Sequence, residues 1–248
     1  LHIQAYRIAE GPKIMLPVMV NMDGFILTHG LEVVDVPDQE QVDRFLPAYK
    51  PLFKLDVENP LTLGPLVDPD YYMETRFAMH ETHKDVLKLI PLIKDEFQKV
   101  FNRPTGGLVE GYRIDDAEKV IVAMGSVCGT IKDVVDRLRS KGKKVGLLKI
   151  VTYRPFPAEA IYQALKDVPR VAVLEKAISI GSYSPVLSEV RSVFNSKKKS
   201  PVVSGFVIGL GGRDITIDSI KEVFKNLTAK PVSEQFIDLK AELLEESI

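Results

Sequence analysis

The chain of 248 residues has a single cysteine, no tryptophan and a formal net charge of only −1. One thiol, Cys128, excludes both an internal disulfide and a cluster held by four cysteines of this chain. This cysteine usage fits a reducing cytoplasm, where we place the protein, with Cys128 as a packed, idle thiol. The small net charge gives no broad electrostatic reason to bind nucleic acid. No apolar run reaches the about 18 residues that cross a bilayer, so we expect no membrane partner.

The most regular part of the sequence alternates strand and helix from Lys119 to Pro157. Val120 to Ala123 form an unbroken apolar run, which is typical of a strand buried on both faces. A helix predicted over 130–141, with Thr130 as its cap, has an apolar face made by Ile131, Val134, Val135 and Leu138. A second apolar strand follows, and two buried strands joined by a helix form a right-handed parallel unit.

The same alternation continues beyond this unit. The predicted strands are 119–124, 145–151, 171–175 and 202–209, and the predicted helices are 130–141, 157–166, 185–194, 217–227 and 233–246. This order predicts an α/β fold, a mostly parallel sheet of four or more strands with helices on both faces.

The first part of the chain is less periodic. We expect a strand over 14–20, a short strand over 25–28 and a short helix that begins near Asp38. Residues 47–69 are rich in proline and predict an extended connector. A long helix is predicted from a cap at Asp70 toward Phe101, with Pro91 expected to kink or split it.

Two glycine turns are the candidate binding sites of the second half. Gly125, Ser126 and Gly129 lie between a predicted strand and a predicted helix. The backbone N–H groups at the start of that helix can bind a phosphate or a carboxylate. The simpler interpretation is a tight crossover turn without a ligand. The lysine of a P-loop is missing there. In the turn 209–214, Arg213 is a candidate for a subunit contact or an anion clamp, and a structural turn remains open.

Other titratable residues give weaker signals. Asp23 and His29 flank a turn in which Phe25 is expected to fill a core, and His29 can titrate near neutrality. His80 and His83 are spaced i, i+3, whereas zinc hydrolase helices use i, i+4, and no third ligand is evident. We therefore predict no metal site here.

Four strings of the sequence support a resemblance to a known family. They are KVIVAMGSVCGTIKDVVDRLRSKGKKVGLLKIVTYRPFP from Lys119, LPVMVNMDGFILTHGLE from Leu16, LGPLVDPDYYMETRFAMHE from Leu63 and FVIGLGGRDIT from Phe206. Along the chain these strings follow the order of the family, and the chain resembles the C-terminal portion of the alpha subunit of pyruvate:ferredoxin oxidoreductases (pyruvate synthases). One stretch departs from the family, which usually has an Asp-Arg pair and a Gly-Pro-Leu around positions 175 to 187; this chain has Glu175, Lys176, Ser184, Pro185 and Val186.

The resemblance implies a domain order. Residues 1–46 would be the C-terminal remnant of a pyrimidine-binding α/β domain, 47–112 an extended connector with the long helix, and 113–248 a domain of the transketolase C-terminal type. It also implies that the chain is a fragment from which most of the first domain is absent. Asp23 and His29 would then lie near the thiamine site of the whole enzyme.

The resemblance further implies an activity for the parent complex, the oxidative decarboxylation of pyruvate to acetyl-CoA with reduction of ferredoxin. Thiamine diphosphate, Mg and 4Fe-4S clusters would be bound by the complex and none by this chain alone, which we expect to be inactive. The implied partners are sister subunits of the beta, gamma and delta type, with ferredoxin and coenzyme A reached through the complex. The alternatives are a subunit for 2-oxoisovalerate or another 2-oxoacid, a non-catalytic assembly module, a nucleotide-binding regulatory domain that uses the Gly125 turn, and a partner domain of another thiamine enzyme.

Overall fold

The computed structural model describes residues 1–245. It consists of two compact units, Leu1–Leu108 and Val109–Ile248. The described part of the first unit is helical, and its helices are α1 (His2–Ala9), α2 (Ile26–His29), α3 (Gln39–Phe45) and α4 (Pro69–Phe101). Between these helices the chain is irregular, and residues 46–68 form the extended connector that their proline content predicts.

The core of the first unit is built on the second half of α4. One face of this helix is buried, and it presents Val86, Ile90, Ile93, Phe97 and Phe101. The rings of Phe97 and Phe101 stack with centroids 4.3 Å apart, and Phe45 of α3 meets the Phe97 ring edge-on at 5.4 Å. These aromatic contacts hold α3 against α4, because each ring pair adds about 0.5–1.5 kcal/mol beyond its burial.

The long helix differs in two details from the sequence prediction. Asp68, not Asp70, is the N-cap, and its side chain accepts a hydrogen bond from the backbone N–H of Asp70 at 3.1 Å. Pro69 then occupies the first turn, where its missing N–H costs nothing. Pro91 lies inside α4 without dividing it.

Two predicted strands of the first unit are wrong. Residues 14–20 contain no strand, since Pro17 lacks a donor and no other described segment of this unit pairs with them. Residues 25–28 also do not form a strand, because Phe25 has a left-handed φ of 58° and the helix α2 begins directly after it.

The second unit contains a six-stranded sheet among its described residues. The strands are β1 (Val109–Tyr112), β2 (Lys119–Ala123), β3 (Val145–Ile150), β4 (Arg170–Glu175), β5 (Val202–Val207) and β6 (Gln235–Phe236). Their spatial order is β1-β3-β2-β4-β5-β6, and every pair is parallel except β1 with β3. At the centre, Ile121 of β2 lies opposite Leu147 of β3 and Ala172 of β4.

Helices cover both faces of this sheet, as the α/β pattern predicts. They are α5 (Val127–Arg139), α6 (Ala158–Leu165), α7 (Pro185–Val193) and α8 (Ile217–Asn226), with a short 3-10 turn at Leu210–Gly212 and a short helix α9 (Glu242–Glu245). One core lies between the sheet and α5 with α8, and the other lies between the sheet and α6 with α7. No helix in the described range 1–245 is both long enough and apolar enough to cross a membrane.

Two further predictions need correction. The helix after the first glycine turn begins at Val127, so Thr130 lies inside it and is not its cap. The predicted helix 233–246 is instead the edge strand β6 followed by α9, and Glu246 lies outside the described residues. In this segment Ile237 is buried, whereas Phe236 and Leu239 are 39% and 53% exposed.

Candidate functional site at the carboxyl edge of the sheet

The parallel strands place four loops at one edge of the sheet. These loops follow β2, β3, β4 and β5, and they cover residues 124–126, 151–157, 176–184 and 208–216. The chain leaves β2 toward α5 on one face, whereas it leaves the neighbouring strand β4 toward α7 on the other face. Open α/β sheets bind ligands at such a switch point, so the edge between β2 and β4 is the candidate site.

The first predicted turn lies at this switch point. Gly125 has a φ of 76°, a left-handed conformation that favours glycine, and α5 begins two residues later. The N–H of Gly129 donates to the carbonyl of Ser126 at 3.0 Å, so Gly129 belongs to the first turn of the helix. No acidic side chain lies in that turn. Its anion-binding role stays a prediction.

Glu175 is a functional candidate that sequence reasoning noticed only as a departure from the family. It is the last residue of β4 and is 8% exposed. Its carboxylate accepts hydrogen bonds from the backbone N–H groups of Val186 and Leu187, both at 3.0 Å. Burial raises the pKa of Glu175, while these two hydrogen bonds oppose the increase. The side chain therefore caps α7 from a neighbouring strand.

A second carboxylate lies at the same helix end. Glu234 accepts hydrogen bonds from the backbone N–H of Ser184, at 3.0 Å, and from its hydroxyl group. The two carboxylates thus bind the backbone N–H groups of Ser184, Val186 and Leu187 at one helix N-terminus, where such groups favour negative charge. The charges of Glu234 and Glu189 add to the increase in the pKa of Glu175.

Arg154 holds the loop after β3, and no motif in the sequence points to it. Its guanidinium lies 4.1 Å from the ring centroid of Tyr153 and forms a two-point ion pair with Glu189 of α7, one contact being 2.8 Å. Such a fork-to-fork pair fixes the position of both partners. The Arg154–Pro155 peptide bond is cis.

Arg213 lies on the glycine turn after β5. Its guanidinium donates to the backbone carbonyl of Asp238. Gly209, Gly211 and Gly212 all have left-handed φ values between 66° and 84°. The turn therefore has a structural contact of its own, and the predicted clamp and subunit contact stay predictions.

Asp23 and His29 belong to the other unit. Nδ1 of His29 lies 2.7 Å from the carbonyl oxygen of Phe25, and the two rings are 5.3 Å apart. Phe25 is 77% exposed, so the expectation that it fills a core is wrong. His83 likewise contacts its own helix, with Nδ1 2.7 Å from the carbonyl of Met79.

Within residues 1–245 we looked for side chains that could hold the redox and thiamine cofactors. Its one cysteine is buried, whereas an iron–sulfur cluster needs four thiolates. Among residues 1–245 no three side chains of His, Cys, Asp or Glu converge to hold a metal ion. The carboxylates at the candidate edge already bind helix N–H groups, so these residues do not fit a Mg-diphosphate.

Two family models match most of the chain. Residues 1–95 match the thiamine diphosphate-binding family of pyruvate flavodoxin/ferredoxin oxidoreductases, and residues 117–220 match core domain II of pyruvate:ferredoxin oxidoreductase. The pyruvate synthase subunit PorA of Methanothermobacter thermautotrophicus is 45% identical over 238 residues, 96% of this chain and 61% of the relative. The chain belongs to the pyruvate:ferredoxin oxidoreductase family. It spans about three fifths of the length of the curated relatives that it matches.

Other members and solved structures are more distant. The ketoisovalerate oxidoreductase subunit VorA of Pyrococcus horikoshii is 36% identical over 226 residues, 91% of this chain and 57% of the relative. One solved structure that the chain resembles is a 2-oxoglutarate:ferredoxin oxidoreductase from Magnetococcus marinus, with a TM-score of 0.43 and 16% sequence identity. The match includes 64% of this chain and 24% of the chain in that structure.

Proposed function

We propose that the chain is part of the alpha subunit of a thiamine diphosphate-dependent 2-oxoacid:ferredoxin oxidoreductase whose substrate is pyruvate. The complex would decarboxylate pyruvate oxidatively to acetyl-CoA and pass the electrons to ferredoxin in the cytoplasm. The observation that supports pyruvate is the 45% identity to a pyruvate synthase subunit over 96% of the chain, against 36% to a ketoisovalerate subunit over 91%.

The role that we propose for this chain is structural. The polar side chains at the carboxyl edge bind neighbouring elements of the same unit: Glu175 holds α7, Arg154 holds Glu189, and Arg213 holds Asp238. Such contacts fix the shape of an edge that other subunits can close. We propose that sister subunits of the beta, gamma and delta type supply the thiamine and iron–sulfur sites and the contacts to ferredoxin and coenzyme A.

The predicted domains and turns are part of this proposal. Residues 113–248 would be the domain of the transketolase C-terminal type, which agrees with the compact unit Val109–Ile248. Residues 1–46 would be the end of the pyrimidine-binding domain and 47–112 the connector with its helix. The Gly125 turn, with Ser126 and Gly129, would face an anion or a sister subunit.

A branched 2-oxoacid is the second candidate substrate, because the ketoisovalerate relative matches nearly the whole chain. The two candidates differ only in the apolar side chain of the oxoacid. An enzyme pocket discriminates such groups by about 10–200-fold.

The test is an assay of the assembled oxidoreductase that contains this chain. We would measure kcat/KM for pyruvate and for 2-oxoisovalerate from the reduction of ferredoxin in the presence of coenzyme A. We expect a preference for pyruvate of at least about tenfold, and no reduction by the isolated chain. A preference for 2-oxoisovalerate would assign the second candidate, and the absence of any oxoacid-dependent reduction would contradict both.

A further inference from the structure

The edge of the sheet opposite the candidate site is strongly basic. The segments at the amino ends of the parallel strands form this basic edge, and they are 115–119, 140–144, 166–170, 194–202 and 225–232. Together they contain eleven Lys and Arg residues but only four Asp and Glu residues. The rest of the chain has 22 Lys and Arg residues against 30 Asp and Glu residues. The small net charge of the chain therefore conceals a separation of charge.

Direct contacts bring these segments together. Lys119, the first residue of β2, lies beside Arg170, the first residue of β4, which in turn lies beside Val202 of β5. The backbone N–H of Lys119 donates to the carbonyl of Lys144 at 3.3 Å. Its Nζ donates to the carbonyl of Phe224 at the end of α8, at 2.6 Å. The five segments therefore form one continuous surface of the second unit.

The cations of the basic edge outnumber the carboxylates that could neutralise them. Three of its four carboxylates already have a cationic partner in the same unit, in the pairs Asp116–Arg139, Glu118–Lys144 and Asp167–Lys199. The ion pairs of the described residues do not include Lys143, Arg170 or Lys230. Burial lowers the pKa of Lys119, and the charges of Arg170 and Lys143 lower it further, so like charges lie close together. Such a surface attracts an external anion.

The composition of the basic edge indicates which kind of anion it suits. Within its described segments the one aromatic residue is Phe194, which is 6% exposed, so a nucleic-acid base finds no ring there on which to stack. Ten of the eleven cations are lysines, whereas phosphate and nucleic-acid recognition favours the planar fork of arginine. Four strand spacings of about 4.8 Å, from β3 to β6, give the edge a width of about 19 Å. These properties favour the carboxylate-rich surface of a protein.

We propose that the basic edge of the second unit docks a protein partner through a partner surface rich in Asp and Glu. Lys143, Lys198 and Lys230 are exposed on three different loops, and they make the outer part of this contact. Complementary charges of this kind raise the association rate and the specificity more than the affinity. We expect weak, salt-sensitive binding, because charges in solvent are screened over about 8 Å at physiological ionic strength. The proposal needs only the charges of this unit and does not depend on the proposed function.

Charge reversal tests this assignment with a matched control. A fluorescent oligoglutamate peptide should bind the 248-residue chain at about 20 mM salt, and its affinity should fall at least about tenfold at about 200 mM. One triple variant reverses exposed lysines of the basic edge, and the other reverses exposed lysines of the first unit with the same change in net charge. The first is Lys143→Glu, Lys198→Glu and Lys230→Glu, and the second is Lys13→Glu, Lys50→Glu and Lys54→Glu. The affinity should fall at least about tenfold in the first and less than about threefold in the second, with circular dichroism spectra like that of the parent chain.

Cross-linking locates the contact. A carbodiimide joins lysine amines to carboxylates that touch them, and peptide mapping should place most of the bonds to oligoglutamate on lysines of the basic edge. Failure of the parent chain to bind the peptide, equal affinities of the two triple variants, or bonds spread evenly over all exposed lysines would overturn the proposal. Tighter binding of a single-stranded oligonucleotide of the same charge would also overturn it, because the partner would then be a nucleic acid.

Discussion

Glu175 at the end of β4 and Val186 in the first turn of α7 are joined by a hydrogen bond of 3.0 Å from the backbone N–H to the carboxylate. The second carboxylate oxygen accepts from the next residue, Leu187, at the same distance. A strand residue thus caps the N-terminus of this helix. The contact closes the loop 176–184 at its base and fixes where α7 begins.

Removal of this carboxylate should destabilise the second unit. Glu175→Ala leaves two backbone N–H groups at a buried helix end without their acceptors, and each such group costs about 1–3 kcal/mol. We expect the free energy of unfolding to fall by about 2–4 kcal/mol, measured by urea denaturation at pH 7. As a control, Glu159→Ala changes an exposed glutamate in the first turn of α6 and should cost under about 0.5 kcal/mol.

The pH dependence of the unfolding free energy tests the titration of the Glu175 carboxyl group separately. Because burial raises its pKa above the ordinary value of 4.5, the folded state keeps the proton to a higher pH than the unfolded state does. The stability that this group contributes is therefore complete below pH 4.5 and is lost as pH rises through the higher folded value. Glu175→Gln cannot titrate, so its unfolding free energy should fall less over this window than that of the parent chain. An identical slope for the two proteins would contradict the assignment.

Periodicity predicted the elements that repeat and missed those that depend on a distant partner. Val120 to Ala123 and the apolar face of α5 follow local patterns, and the structure has both. The edge strand β1 has a glycine at its third position, Gly111, and pairs with β3 about forty residues later. Nothing in its own four residues specifies that partner. The segment 233–246 has helical spacing, yet pairing with β5 converts its start to β6.

The candidate site was predictable only in part for the same reason. Gly125 stands between an apolar run and a helix, so its left-handed turn is a local property. Glu175 contacts α7 eleven residues later, and Arg154 contacts Glu189 thirty-five residues later. Both contacts depend on the packing of helices against the sheet. The one available signal was the departure from the family pattern at Glu175 and Ser184.

Arg139 should be the most important arginine of α5. Its side chain is 18% exposed, and it donates to the carbonyls of Val145 and Arg113 and to the carboxylate of Asp116, at 2.7, 2.5 and 2.6 Å. These contacts tie α5 to the segments beside β1 and β3. Arg139→Ala should lower the free energy of unfolding by about 2–3 kcal/mol, since hydrogen bonds to a charged group contribute about 1.5–3 kcal/mol.

The neighbouring Arg137 supplies the matched control for this change. It lies in the same last turn of α5 but is exposed. Arg137→Ala should change the unfolding free energy by no more than about 0.5 kcal/mol. Equal losses of unfolding free energy at the two positions would mean that positive charge at the C-terminal end of α5 stabilises the protein, and not the specific contacts of Arg139.

Two glycines of the second unit should respond in opposite directions to alanine. A Cβ on Gly146 of β3 would lie 2.6 Å from the carbonyl oxygen of Arg113, which is backbone and cannot move away cheaply. A Cβ on Gly129 in α5 would meet nothing within 4 Å. We expect Gly146→Ala to cost about 1–3 kcal/mol. Gly129→Ala should stabilise by about 0.5–1 kcal/mol, because glycine is a poor helix residue. Thermal unfolding by circular dichroism, with both variants and the parent chain in one buffer, measures both signs.

Phe97 and Phe77 lie on the same helix, but their substitution by alanine should have very different effects on the free energy of unfolding. Phe97 is 4% exposed and packs against the rings of Phe45 and Phe101, so Phe97→Ala should lower the stability of the first unit by about 3–5 kcal/mol. Phe77 is 64% exposed, and Phe77→Ala should leave the unfolding free energy of the chain within about 0.5 kcal/mol of the parent value. Urea denaturation at low micromolar concentration, followed by circular dichroism, provides the comparison. A large loss from Phe77→Ala under these conditions would mean that its ring packs within its own chain.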